Sequence, residues 1–199
     1  MTKRIIAIGG GEIKSKTTLK IDEYIASLAK EQAGEKRANA LFIGTASHDS
    51  MPYFNSFRKT YTSVFDIKAE VALMVYGEMS VEKIAGKIEL ADCIYVGGGD
   101  TVFMLDKWKE FGIDKLLIDA YNQGKIICGL SAGAICWFSD IYTDSEMVNG
   151  EEITDSTARA AASKAAAAAA ASCSPVRGIA LNSLPERNTP SNSSSDKNE

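Results

Sequence analysis

Histidine occurs once in these 199 residues, at position 48, and the four cysteines, at 93, 128, 136 and 173, contain no CxxC pair. Zinc sites are built from several such ligands at close spacing, so the composition argues against a bound metal. Cys93 and Cys128 lie inside apolar runs, and Cys136 sits in an apolar helical stretch. They are expected as small buried hydrophobes of a protein in a reducing compartment. An excess of positive charge is also missing. Lys and Arg number 22 against 26 Asp and Glu, a net −4, which disfavours nucleic acid or an anionic membrane as partner, since both need clustered basic groups. Nor is there a long apolar run near the amino end. After Met1-Thr2-Lys3-Arg4 come only Ile5 to Ile8, too few for a signal peptide or a membrane span. The expectation is a cytoplasmic protein.

What is present suits one domain with a proper core: 45% of residues are hydrophobic and 24% charged. Short apolar runs, expected as strands, fall at 3–8, 40–43, 67–75, 92–96 and 125–130. Between them apolar residues recur at helical spacing: Ile21, Ile25 and Leu28; Phe54, Phe57, Tyr61 and Val64, with Pro52 suited to a first turn; Val81, Ile84 and Ile88; Val102, Leu105 and Trp108; Ile113, Leu116 and Ala120. Alternation of strand and helix predicts an α/β three-layer sandwich, because parallel neighbours require crossover connections that put helices on both faces of the sheet. Ligand sites in such sheets lie beyond the carboxyl ends of the strands. The glycine-rich turns after the first and fourth strands and the serine turn after the fifth should therefore converge on one face.

Residues 1–155 carry this pattern. Beyond them the character changes: 158–171 holds eleven alanines interrupted only by Arg159, Ser163 and Lys164, and 188–199 is rich in Ser and Asn, as in disordered tails. The alanine run is open to two readings, a single exposed helix or a stretch in which alanine stands in for unassigned residues. On the second reading, 156–199 is the end of the same domain, and part of 158–185 is expected to be extended backbone.

The chemistry-bearing motif is Gly129-Leu130-Ser131-Ala132-Gly133, which fits G-x-S-x-G, the nucleophile elbow, directly after a strand and before an apolar helical run, about 132–138. Glycines flank the serine because side chains there would strike neighbouring backbone. The turn lifts the serine oxygen above the sheet and aims the Ala132 N–H, with the positive end of the helix, at a developing oxyanion. The plainer alternative is a tight turn that happens to carry a small polar residue. Tyr95-Val96-Gly97-Gly98-Gly99-Asp100-Thr101 ends the fourth strand. It is neither G-x-G-x-x-G nor a Walker A loop and has no lysine spaced for phosphates, so a Gly99 N–H opposite that of Ala132 suits acyl transfer better than nucleotide binding. Gly9-Gly10-Gly11-Glu12 reads only as room for close backbone approach. His48, on the loop after the second strand, is either a substitute general base or a residue that closes a turn.

Ile6-Ala7-Ile8-Gly9-Gly10-Gly11-Glu12, the Gly97-Gly98-Gly99 turn and Gly129-Leu130-Ser131-Ala132-Gly133-Ala134, in this order and separation over about residues 3–150, resemble the peptidase E (aspartyl dipeptidase) and cyanophycinase family of serine peptidases. The resemblance implies a fold like that of the class I glutamine amidotransferases, with serine in place of their cysteine. It implies Ser131 as nucleophile, the N–H groups of Gly99 and Ala132 as the oxyanion hole, and Glu146, with Asp144 second, as the acid of a triad. It also implies a histidine on a later strand and an arginine-bearing segment for an aspartyl substrate, and 156–199 contains no histidine and no recognisable counterpart of that segment. The implied function is hydrolysis of small peptides, including dipeptides with an N-terminal Asp, without metal or organic cofactor. The alternative is an inactive member of the fold that binds a small ligand over the Ser131 turn.

Overall fold

The computed structural model describes residues 3–77, 79–138 and Thr143. Asp144, Glu146, Cys173 and the whole of 156–199, including the expected extended backbone in 158–185, lie outside the described residues.

Among the described residues five strands, β1 (Arg4–Ile8), β2 (Asn39–Ile43), β3 (Lys68–Ala72), β4 (Cys93–Val96) and β5 (Ile126–Leu130), form one sheet in the order β1-β5-β4-β2-β3, every pair parallel. The period-2 alternation of the central strands feeds two cores. Phe42, Tyr95 and Cys128 face α1 (Leu19–Ala33) and α2 (Met51–Ser63), meeting Ile25, Ala29, Phe57 and Tyr61. Leu41, Ile43, Ile94, Val96 and Ile127 face the other way, toward α3 (Val81–Leu90), α4 (Thr101–Phe111) and α5 (Ile113–Asn122). Ile94 and Ile127 are fully excluded from solvent, and burying one such side chain contributes about 1.5–3 kcal/mol. The architecture is the expected α/β three-layer sandwich.

Four details differ from expectation, the first two for a local reason that can be named. The third strand stops at Ala72 rather than running on to residue 75, because the amides of Met74 and Val75 leave the ladder and donate to Asp49 Oδ2. On α4 the fully buried positions are Thr101, Met104 and Trp108, with Val102 and Leu105 only half-buried. Asp100 sets that phase by capping the helix through the Phe103 N–H, and Trp108 is drawn inward by its Nε1–H bond to Thr45 Oγ1 at 3.2 Å. Similarly, α5 buries Ile113, Leu117, Ala120 and Tyr121 rather than Leu116. The helix after Ser131, α6, is regular only over Ala132–Ile135, and the chain continues through a turn to Phe138.

Candidate active site

β5 runs straight into a turn whose centre is Ser131, at φ 52° and ψ −114°, a conformation that a residue with a Cβ adopts only under constraint. The constraints can be named. The Ser131 N–H donates to Ile8 O at 2.9 Å, tying the turn to the end of β1, and Ser131 O accepts from Ala134 and Ile135, starting α6. On either side, Gly129 and Gly133 permit contacts that no other residue could. A Cβ on Gly129 would lie 1.9 Å from Gly133 O, and one on Gly133 would lie 2.2 Å from Val96 O. The two glycines of G-x-S-x-G are thus the places where β5, α6 and β4 touch backbone to backbone, and the Ser131 side is exposed.

Beside it lies the turn after β4. The Gly97 N–H is held by Ile43 O and the Asp100 N–H by Ala46 O. Gly98 comes so close that a Cβ on it would sit 3.2 Å from Ser131 Cβ. Gly99, at φ 142°, would drive a Cβ to 2.1 Å from Ala46 O. Among the described residues, no hydrogen bond is made by the Gly99 N–H or by the Ala132 N–H. The first glycine turn closes the third side. Gly11 has φ 114°, and the loop after it is pinned by the Glu12 N–H to Thr17 Oγ1, 2.7 Å, and by fully buried Ile13.

The three turns enclose a cleft of about 450 Å³ at the carboxyl ends of the strands, lined by Gly11, Glu12 and Lys14, by Gly98 and Gly99, by Leu130 and Ser131, and by Pro52, Tyr53 and Ser56 of α2. Tyr53 overhangs the glycine turn, its hydroxyl accepting a long 3.4 Å bond from the Gly98 N–H. Burial raises its phenol pKa above the usual 10.0, and the charges of Asp22 and Glu12 push the same way against the Gly98 bond. Deeper, Asp22 is buried under Tyr61 and Thr18, which donate to its two oxygens at 3.2 and 2.7 Å; burial raises its carboxyl above 3.8 despite them. Cys136 is also enclosed, and burial pushes its thiol far above the ordinary range. Among the described residues, no three His, Cys, Asp or Glu side chains are grouped as metal ligands would be. No helix among them is long and apolar enough to cross a membrane.

The family model of peptidase family S51 matches residues 5–160, most of the chain. The chain belongs to peptidase family S51. It is 36% identical over 144 residues to the "Uncharacterized peptidase YgaJ" of Bacillus subtilis (strain 168), covering 72% of this chain and 60% of that one. A shorter stretch of 56 residues is 43% identical to the "Uncharacterized peptidase Lin0382" of Listeria innocua, covering 28% of this chain and 27% of that one. A solved structure of a "Putative Peptidase E Protein" from Listeria monocytogenes EGD-e superposes with TM-score 0.52 at 25% identity, over 71% of this chain and 64% of that one. A peptidase from an acI-B1 Actinobacterium shares the fold, with TM-score 0.55 at 16% identity over 70% of this chain and 58% of that one. The chain therefore spans about 60% of the length of the B. subtilis relative.

Of the residues singled out within this S51 chain, the structure brings Ser131 and Gly99 into one cleft, with Ala132 next in sequence to Ser131 and buried beneath it. Glu146 and Asp144 lie outside the described residues. His48 closes the 3-10 turn Thr45–Ser47 in a left-handed conformation, φ 53°, and its ring stacks on Phe103 at 4.1 Å between centroids. It is not among the residues lining the cleft. Tyr53 escaped sequence reasoning, since it is off the apolar stripe of α2. The one available signal was an aromatic beside Pro52 in a first helical turn, at the end of the helix nearest the strand carboxyl ends.

Proposed function

We propose that this chain is a serine-type peptidase acting on small peptides, with Ser131 as nucleophile. The observation that carries the reading is the strained Ser131 backbone, held by two glycine contacts and opening onto a cleft of about 450 Å³. In this reading Ser131 Oγ attacks the scissile carbonyl carbon, and the carbonyl π pair moves onto oxygen. The N–H groups of Gly99 and Ala132, free of other hydrogen bonds among the described residues, would receive that oxyanion. The single turn of α6 adds a weaker favourable field than a long helix would. Glu146, with Asp144 second, would orient the base that takes the serine proton. The family likeness favours a histidine there, but within these 199 residues the sole histidine is His48. Without that base, reaction at Ser131 is expected to be slow, its proton passing to solvent. The substrate reading is a short peptide cleaved after a small or acidic first residue, in the cytoplasm.

A fluorophosphonate probe tests the assignment. Ser131 should be labelled in the folded protein faster than in the denatured chain, and the Ser131→Ala variant should not be labelled. Label that persists in Ser131→Ala and maps to another serine overturns it. A dipeptide panel varying the first residue then reads the substrate preference.

A further inference from the structure

Resting on the assignment of Ser131, we propose that Tyr53 is a third hydrogen-bond donor to the oxyanion, its phenol proton serving alongside the two backbone amides. The ring is held from two sides. Phe42 meets it edge-on at 4.9 Å between centroids and 71°, and the bare Cα of Gly97 admits it so closely that a Cβ there would lie 2.9 Å from Tyr53 Cε1. The hydroxyl accepts the Gly98 N–H, and Gly98 in turn abuts Ser131. One glycine thus connects the phenol with the serine, and both line the same cleft.

Having accepted one bond, the hydroxyl still holds a proton, which it donates to no acceptor among the described residues. A phenol that accepts from an amide becomes a stronger donor, because each bond polarises the next. Burial first, then the charges of Asp22 and Glu12, keep it un-ionised well past neutrality. A donor fixed before the reaction and aimed where charge develops is what lowers an acyl-transfer barrier, since nothing need reorganise during attack.

The experiment measures the second-order rate at which a fluorophosphonate modifies Ser131. The Oγ–P bond forms, the P–F bond breaks, fluoride leaves and the serine proton passes to solvent. The phosphoryl oxygen gains charge where the peptide oxyanion would. Wild type, Ser131→Ala and Tyr53→Phe are compared, with thermal unfolding run on each. Tyr53→Phe is expected to label about tenfold to a hundredfold more slowly at unchanged melting temperature. Labelling within about twofold of wild type overturns the proposal while leaving Ser131 standing. If wild type labels no faster than Ser131→Ala, the nucleophile assignment fails and the proposal with it.

Should Tyr53→Phe fold poorly, a fluorinated tyrosine at position 53, whose phenol ionises near neutrality, keeps the ring and decides the matter. Its phenolate is a better acceptor for the Gly98 N–H but has no proton to give. Labelling of this variant should fall as pH rises through its phenol pKa, with no such fall in wild type. A flat or rising profile would mean the hydroxyl only anchors Gly98, and the proposal is overturned.

Discussion

Replacing Ser131 by glycine should stabilise the fold relative to alanine, the reverse of the usual order. Both variants lack the hydroxyl, and both keep the N–H that donates to Ile8 O, so their difference isolates the Cβ. At an ordinary position glycine is worse than alanine by about 0.5–1 kcal/mol, through the greater freedom of the unfolded chain. At φ 52° and ψ −114° a Cβ is held in a sparsely populated region, at a cost of about 1–3 kcal/mol. The second effect exceeds the first by roughly 1 kcal/mol, worth about 2–4 °C of melting temperature in a chain of this size. Urea unfolding of the two variants, analysed at a common slope, reads the difference directly. A glycine variant less stable than the alanine variant by about 0.5–1 kcal/mol would show an unstrained turn and refute the reasoning.

Other expectations follow from the same packing. Gly133→Ala, whose Cβ would meet Val96 O at 2.2 Å, should cost about 3 kcal/mol or more in urea unfolding and abolish Ser131 labelling together with it; a loss below about 1 kcal/mol would contradict the close packing. The buried Asp22 carboxyl titrates above the 3.8 expected of it when unfolded, so its contribution is complete below that value and is lost as pH rises through the folded pKa. Asp22→Asn loses none of this. Its stability relative to wild type should therefore improve with pH just above 3.8 and level off thereafter, and a difference that stays constant from acid to neutral pH would exclude the burial effect. Cys93, Cys128 and Cys136 are buried and free, so a thiol reagent should modify them only on unfolding; rapid reaction of any one, located by peptide mass, would contradict their burial.

Much of this architecture was readable as periodicity. Short apolar runs at 40–43, 92–96 and 125–130 gave three strands within a residue of their observed ends, because buried parallel strands leave few other uses for such runs. The overextended third strand shows the limit: Val75 continues the apolar run, yet its amide is claimed by Asp49, a side chain 26 residues away. The faces of α4 and α5 were misjudged by one position, since Leu116 and Leu117, or Leu105 and Met104, are equally apolar and only the cap and the Trp108–Thr45 bond break the tie. In the cleft, Ser131 and its glycines were legible because their spacing encodes a steric requirement. Tyr53 was not, because its importance comes from an approach to Gly97 and Gly98 across 45 residues that no local pattern records.

The bond from Ser131 to Ile8 also has a consequence for biosynthesis. β1 is made well before β5, yet Arg4 pairs with Ile126 and Ile8 with Leu130. Among the described residues it pairs with no other strand, so it must wait on the ribosome for a partner that has not been translated. The contact that holds the serine turn in its strained form is the last rung of that late ladder. A nascent chain whose β5 is still inside the exit tunnel can have β2, β3 and β4 paired and still lack the strained serine turn. The strained serine turn can therefore form only once β1 and β5 have paired.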